Sequence, residues 1–128
     1  MAVRGIRGAT SVEKNDRQEI LTRTRELLEE MVKRNGVDID DIASVIFSAT
    51  EDLNDVFPAV AAREMGWTCI PLFGCQEMRV KGSLSGVVRI LMHVNSGKKQ
   101  SEMAHPYLHR ARELRPDLEG GAGTGGES

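Results

Sequence analysis

The chain has 128 residues and a mass of 14.1 kDa, enough to close one hydrophobic core and too little for two. Its 17 basic and 19 acidic residues leave a formal net charge of -2, so no global positive field exists to gather nucleic acid. Cys69 and Cys75 show neither CxxC spacing nor a histidine at metal-ligand distance, and no apolar run approaches the roughly 20 residues of a membrane span. With arginines where a signal peptide has its apolar stretch, the expectation is a cytoplasmic protein with reduced thiols, no metal and no membrane partner.

The first element is "VRGIRGAT", Val3 to Thr10, which predicts a short strand in which arginine and glycine stand where a buried strand has Val, Ile or Leu. Guanidinium groups at such positions point to an anion brought close. Of the 17 basic residues 12 are Arg, the side chain that grips carboxylate or phosphate with two parallel hydrogen bonds, although a GC-rich genome produces the same bias without function.

A helix follows in "NDRQEILTRTRELLEEMVKRNG". Ile20, Leu21, Thr24, Leu27, Leu28, Met31 and Val32 form one apolar stripe at helical spacing, and the opposite face is a solvated mixture of Arg, Glu and Lys. Asp16 with Glu19 reads as a capping box, and Gly36 stands where a left-handed terminator is wanted. "DDIASVIFSAT" predicts a turn and then a strand over Ala43 to Ser48, and Pro58 opens a shorter helix, "PAVAAREM", that stops at Gly66. "TCIPL" and "SGVVRILMHV" predict two further strands, whereas "YLHRARELRP" fits a helix or a strand equally well. Strands alternating with helices imply an α+β fold, a mixed sheet covered by one long and one short helix. The stretch "EGGAGTGGES" has no apolar residue larger than Ala and predicts a disordered tail over 119–128, leaving 1–118 as the domain.

Polar residues that interrupt apolar segments need a reason. Arg89 lies inside "VVRILM", where a fully buried, unpartnered guanidinium costs several kcal/mol. It either points outward from an edge strand or lines a pocket. Glu77 and Arg63 read as ordinary surface residues, Arg115 as a loop arginine held extended before a proline, and Tyr107 as a half-buried core residue. His93, His105 and His109 have no metal-site spacing, there is no Ser-His-Asp pattern, and "KGSLSG" lacks the lysine and helix of a phosphate loop.

The blocks "RGIRGAT", "SATEDLNDVFPAVAARE", "QEM" followed by "VVRILM", and "HPYL" leading to "LRPDL" stand in one order across nearly all of residues 3 to 118. Together they resemble the small monofunctional chorismate mutases of the trimeric α/β type. The resemblance implies a homotrimer forming a pseudo α/β-barrel, sheets inside and helices outside, with an active site at each subunit interface. It implies conversion of chorismate to prephenate, on the route to phenylalanine and tyrosine, without a cofactor. The catalytic positions carried over are Arg89, Glu77 and Arg7, and the substrate-binding ones are Arg7, Phe57, Arg63, Gly74, Cys75, Tyr107 and Arg115. Arg7 and Tyr107 would hold a carboxylate, the small residues beside Arg7 leaving room for the ring. Arg89 would donate to the ether oxygen, Glu77 accept from the ring hydroxyl, Phe57 form an apolar wall, and Arg63 and Arg115 assist at the mouth.

Two positions depart from the family pattern. Better-known members carry a cysteine three residues before the QEM glutamate; here that position is Gly74, with Cys75 one place later, so that Cys75 acts through packing or a backbone group instead of its thiol. Val60 stands where some members have a lysine, which makes that charge dispensable. Two other readings compete: a trimeric imine deaminase, separated by assaying imine hydrolysis, and a catalytically silent sensor of an anionic metabolite, separated by binding without turnover.

Overall fold

A computed structural model of the chain describes residues 1–114; Arg115 and the expected tail over 119–128 lie outside the described residues. The elements run β1 (Ala2–Ser11), α1 (Arg17–Asn35), a 3-10 turn at Ile39–Asp41, β2 (Ile42–Ala49), α2 (Ala59–Glu64), β3 (Leu72–Gln76) and β4 (Val87–Ser96), then 3-10 turns at Gln100–Glu102 and His109–Leu114. The four strands form one mixed sheet in the order β1-β4-β2-β3, antiparallel at β1/β4 and β4/β2 and parallel at β2/β3. This is the expected α+β arrangement, with α1 and α2 both laid on one face of the sheet.

Helix α1 follows its sequence signals. The Asp16 carboxylate accepts the Glu19 N–H at 3.0 Å, and Gly36 closes the helix in the left-handed region at φ 59°. The reciprocal half of the capping box is rerouted, because the Glu19 carboxylate accepts from the backbone N–H of Glu13 at 2.7 Å instead of from Asp16, tying the helix start to the end of β1. The stripe buries Ile20, Leu21, Thr24, Leu27, Leu28 and Met31, with Val32 packed at its edge. Asn35, which the periodicity does not single out, is buried as well: its amide donates to the carbonyls of Met31 and Ala104 and accepts the Ala104 N–H.

The core joins Leu27, Leu28 and Met31 of α1 and Ala59 and Ala62 of α2 to Ile6, Val45, Phe47, Ile90, Met92 and Val94 of the sheet. At Gly8 the helix comes so close that an added Cβ would lie 2.8 Å from Met31 Sδ and 3.0 Å from Leu27 Cδ1. Gly8 therefore makes room for α1, and the expectation that it makes room for a ligand ring is corrected; Gly5, on the opposite face of β1, has only Leu91 Cδ1 near, at 3.9 Å.

Three boundaries differ from the sequence reading. The strand expected at "TCIPL" begins only at Leu72, because Pro71 has no N–H for a ladder and contributes just its carbonyl, to Val45 N. β4 starts at Val87, after Gly86 turns the chain at φ 66°. The ambiguous "YLHRARELRP" is neither alternative in full: Tyr107 makes one parallel bridge to Ala9, and a 3-10 turn follows from His109.

The free edge of β1 is closed from within the chain. The Gln100 side-chain amide pairs with both backbone groups of Gly5, the Arg7 N–H donates to His105 Nδ1 at 3.0 Å, and Ala9 bonds to Pro106 and Leu108. An edge so covered offers no template for another strand.

Candidate functional site

The sheet face away from the helices carries most of the expected residues. Strand register sets Tyr107, Ala9, Arg89, Ser48 and Cys75 in one row across the sheet, with Arg7, Leu91, Ile46 and Phe73 in the next row on the same face. Arg89 thus stands on a central strand, which removes the edge-strand reading. Its side chain is 26% exposed and Glu77, just past β3, is 25% exposed; Arg89 Nε lies 2.5 Å from Glu77 Oε2. Glu77 is placed by its N–H bond to Ala49 O, and Ser48 Oγ donates to its carboxylate at 3.4 Å. Ser48 is a neighbour that no local sequence signal marks, since only the register brings it beside Arg89.

The Arg89–Glu77 contact is a close ion pair, with Nε against the carboxylate though not aligned as an ideal hydrogen bond. Glu77 thereby fixes the guanidinium through Nε and leaves its outer N–H groups as donors for a ligand. Arg7, by contrast, has no carboxylate partner among the described residues, while Arg25, Arg34, Arg79 and Arg110 each have one. The Arg79 guanidinium, fully exposed, is held above its ordinary pKa by its hydrogen bond to Glu51. Tyr107 is 2% exposed, far more buried than the half-buried position expected, and packs with Ala9 and Ala111.

The other expected residues lie elsewhere. A cleft of about 810 Å³ opens on the helix side of the sheet, between the 50–58 loop with α2 and the ends of β2 and β3. Phe57, Arg63 and Gly74 line it, together with Arg17 and Asp55, which sequence reading passed over; Cys75, whose register position is on the other face, borders it from the edge strand β3. Phe57 is 77% exposed, and Arg63 has no charged partner among the described residues. The Cys75 thiol donates to the Phe47 carbonyl at 3.6 Å. No group of three or more His, Cys, Asp or Glu that could hold a metal occurs among the described residues. No described helix is long and apolar enough to cross a membrane.

One chain thus presents two clusters of expected residues on opposite sides of its sheet: an arginine-rich one around Arg7, Arg89 and Glu77, and an apolar cleft with Phe57 and Arg63. The family model described as chorismate mutase type I matches residues 3–118. The chain is 44% identical to the chorismate mutase AroH of Bacillus subtilis (strain 168) over 92% of its length and 94% of the relative's, and 47% identical to that of Thermus thermophilus over 91% and 97%. A solved chorismate mutase from Clostridium thermocellum superimposes with a TM-score of 0.85 at 47% identity, covering 86% of this chain and 98% of that one. The chain therefore belongs to the type I chorismate mutase family, and its activity is that of an isomerase.

Proposed function

We propose that the chain converts chorismate to prephenate in the cytoplasm, on the route to phenylalanine and tyrosine, at sites completed between the copies of a homotrimer. The observation that carries this reading is the pair of half-sites on opposite faces of one sheet. Arg89 and Phe57 of the same copy face different sides, so a ligand touching both half-sites needs a second copy of the chain.

The reaction is an intramolecular Claisen-type rearrangement, which needs no nucleophile, proton shuttle or cofactor. What it needs is a flexible dianion held in its reactive fold, which converts lost conformational freedom into a lower barrier. Arg7 and Tyr107 hold one carboxylate, while Arg63 and Arg115 from the mouth assist capture. Carbon–oxygen cleavage runs ahead of carbon–carbon bond formation, so negative charge gathers on the ether oxygen. Arg89, its guanidinium fixed through Nε by Glu77, donates to that oxygen from its outer N–H groups and strengthens its hold as the charge grows. Glu77 accepts from the ring hydroxyl and balances positive charge on the ring; Phe57 supplies the apolar wall, and Gly74 and Cys75 border the substrate through backbone and packing.

The direct test is the loss of chorismate ultraviolet absorbance on adding purified protein in the presence of a chelator. Steady turnover to prephenate is expected; binding of a transition-state analogue without turnover would make the protein a sensor instead.

A further inference from the structure

Phe57 owes its direction to its backbone, since an aromatic ring 77% exposed has no packing of its own to hold it. From α2 the Val60 N–H donates to the Phe57 carbonyl at 3.0 Å, while the cap residue, Pro58, makes no side-chain capping bond, so the approach of the chain to Phe57 is set from its N-terminal side. On the N-terminal side the 50–58 loop is anchored by buried Leu53 and by Val56, which packs against Val12, Ile20, Ala49, Leu53 and Val88. Between these two apolar anchors stand Asn54 and Asp55, and both are held by one side chain from the turn before α1. Asn15 Oδ1 accepts the N–H groups of Asn54 and Asp55 at 3.0 and 3.1 Å, and Asn15 Nδ2 donates to Asn54 Oδ1 at 2.7 Å. Asp55 answers from the loop, its Oδ2 accepting the Arg17 N–H at the start of α1 at 2.8 Å, where the helix dipole favours a carboxylate.

We propose that Asn15, with Asp55, is a latch that holds the 54–57 loop against the start of α1 and so sets Phe57 in the substrate cleft. Asn15 is a positioning residue, acting on the ligand only through Phe57. The proposal rests on the reading that Phe57 borders the substrate. Without the latch the loop samples conformations in which the cleft wall is absent, and substrate must select the competent fraction; that cost falls equally on bound substrate and transition state. The expected signature is a raised KM with kcat nearly unchanged, which a general loss of structure does not produce.

The experiment compares Asn15→Ala, Asn15→Asp, Phe57→Ala and the double variant Asn15→Ala/Phe57→Ala by steady-state kinetics, with thermal melting of each. Asn15→Ala should raise KM by about tenfold and leave kcat within about twofold, with little change in Tm because Asn15 is exposed. Asn15→Asp keeps an acceptor for both backbone N–H groups, and Asn54 can turn its amide to donate, so it should recover most of the affinity. The double variant should be no worse than Phe57→Ala alone, the mark of two residues acting through one contact. If Phe57→Ala raises KM and Asn15→Ala does not, or if Asn15→Ala lowers kcat at constant KM, the latch is wrong. If Phe57→Ala itself leaves KM unchanged, the site reading fails and the latch with it.

Discussion

Arg89 is half-buried on a central strand, its guanidinium held through Nε by Glu77 and its outer N–H groups left to donate. A donor so placed is worth more to a charge that develops during reaction than to a neutral ground state. Arg89→Ala should therefore lower kcat by more than about a hundredfold, about 3 kcal/mol in activation free energy, with a much smaller change in KM. Arg89→Lys, keeping charge but not the planar fork, should restore only part of the loss. Arg63 is exposed in the cleft, and on the proposed reading it touches substrate equally before and during reaction, so it should show the reverse pattern: Arg63→Ala raises KM at nearly constant kcat. Steady-state kinetics on variants verified by circular dichroism check both. Composition could flag arginine as unusual here, and the interruption of "VVRILM" could flag Arg89 in particular. The Ser48–Glu77–Arg89 grouping was not legible from spacing, because it depends on the pairing of β2 with β4 and on the chain's return after β3.

On β1, Gly8 faces the Met31 and Leu27 side chains of α1, which an added Cβ would meet at 2.8 and 3.0 Å. Gly8→Ala must push Met31 and Leu27 aside and should destabilise by about 1–3 kcal/mol, the range for overpacking a filled core. Adding Met31→Ala should cost less than the sum of the two single changes, since the smaller side chain vacates the space; denaturant melts of the three variants measure the coupling. At the helix start, Asp16→Ala removes the acceptor for the Glu19 N–H and should cost about 1 kcal/mol by the same measurement. The long helix was legible because its stripe, cap and terminator agree across 19 residues. β3 was not: five residues, four of them exposed, carry no alternation, and the neighbouring "TCIPL" imitates a strand better than "LFGCQ" does. Gly5 and Gly8 look alike in sequence and differ only in which face of β1 they lie on, which periodicity resolves only after the partner helix is placed.

The whole molecule turns one sheet face to its helices; the other carries Arg7, Arg89, Leu91, Ile46 and Phe73, with the His109–Leu114 turn packed over Ala9 at the β1 side. The α+β class and the single domain were legible from element order and length. The division of the expected site residues between two faces was not, because adjacent strand positions face opposite ways and nothing local states which face meets a second copy. On this account the protein sediments as a trimer and loses activity on dilution to monomer, whereas a fully active monomer in sedimentation analysis would remove the need for a second copy. The most direct measurement unfolds Arg89→Ala and Arg63→Ala proteins together, refolds the mixture and records kcat/KM at low chorismate. Sites completed between copies regain both wild-type arginines in about one case in four under random mixing, so the mixture should far exceed either variant refolded alone. Activity no greater than the average of the two separately refolded variants would place Arg89 and Arg63 in the same chain's site and contradict the account.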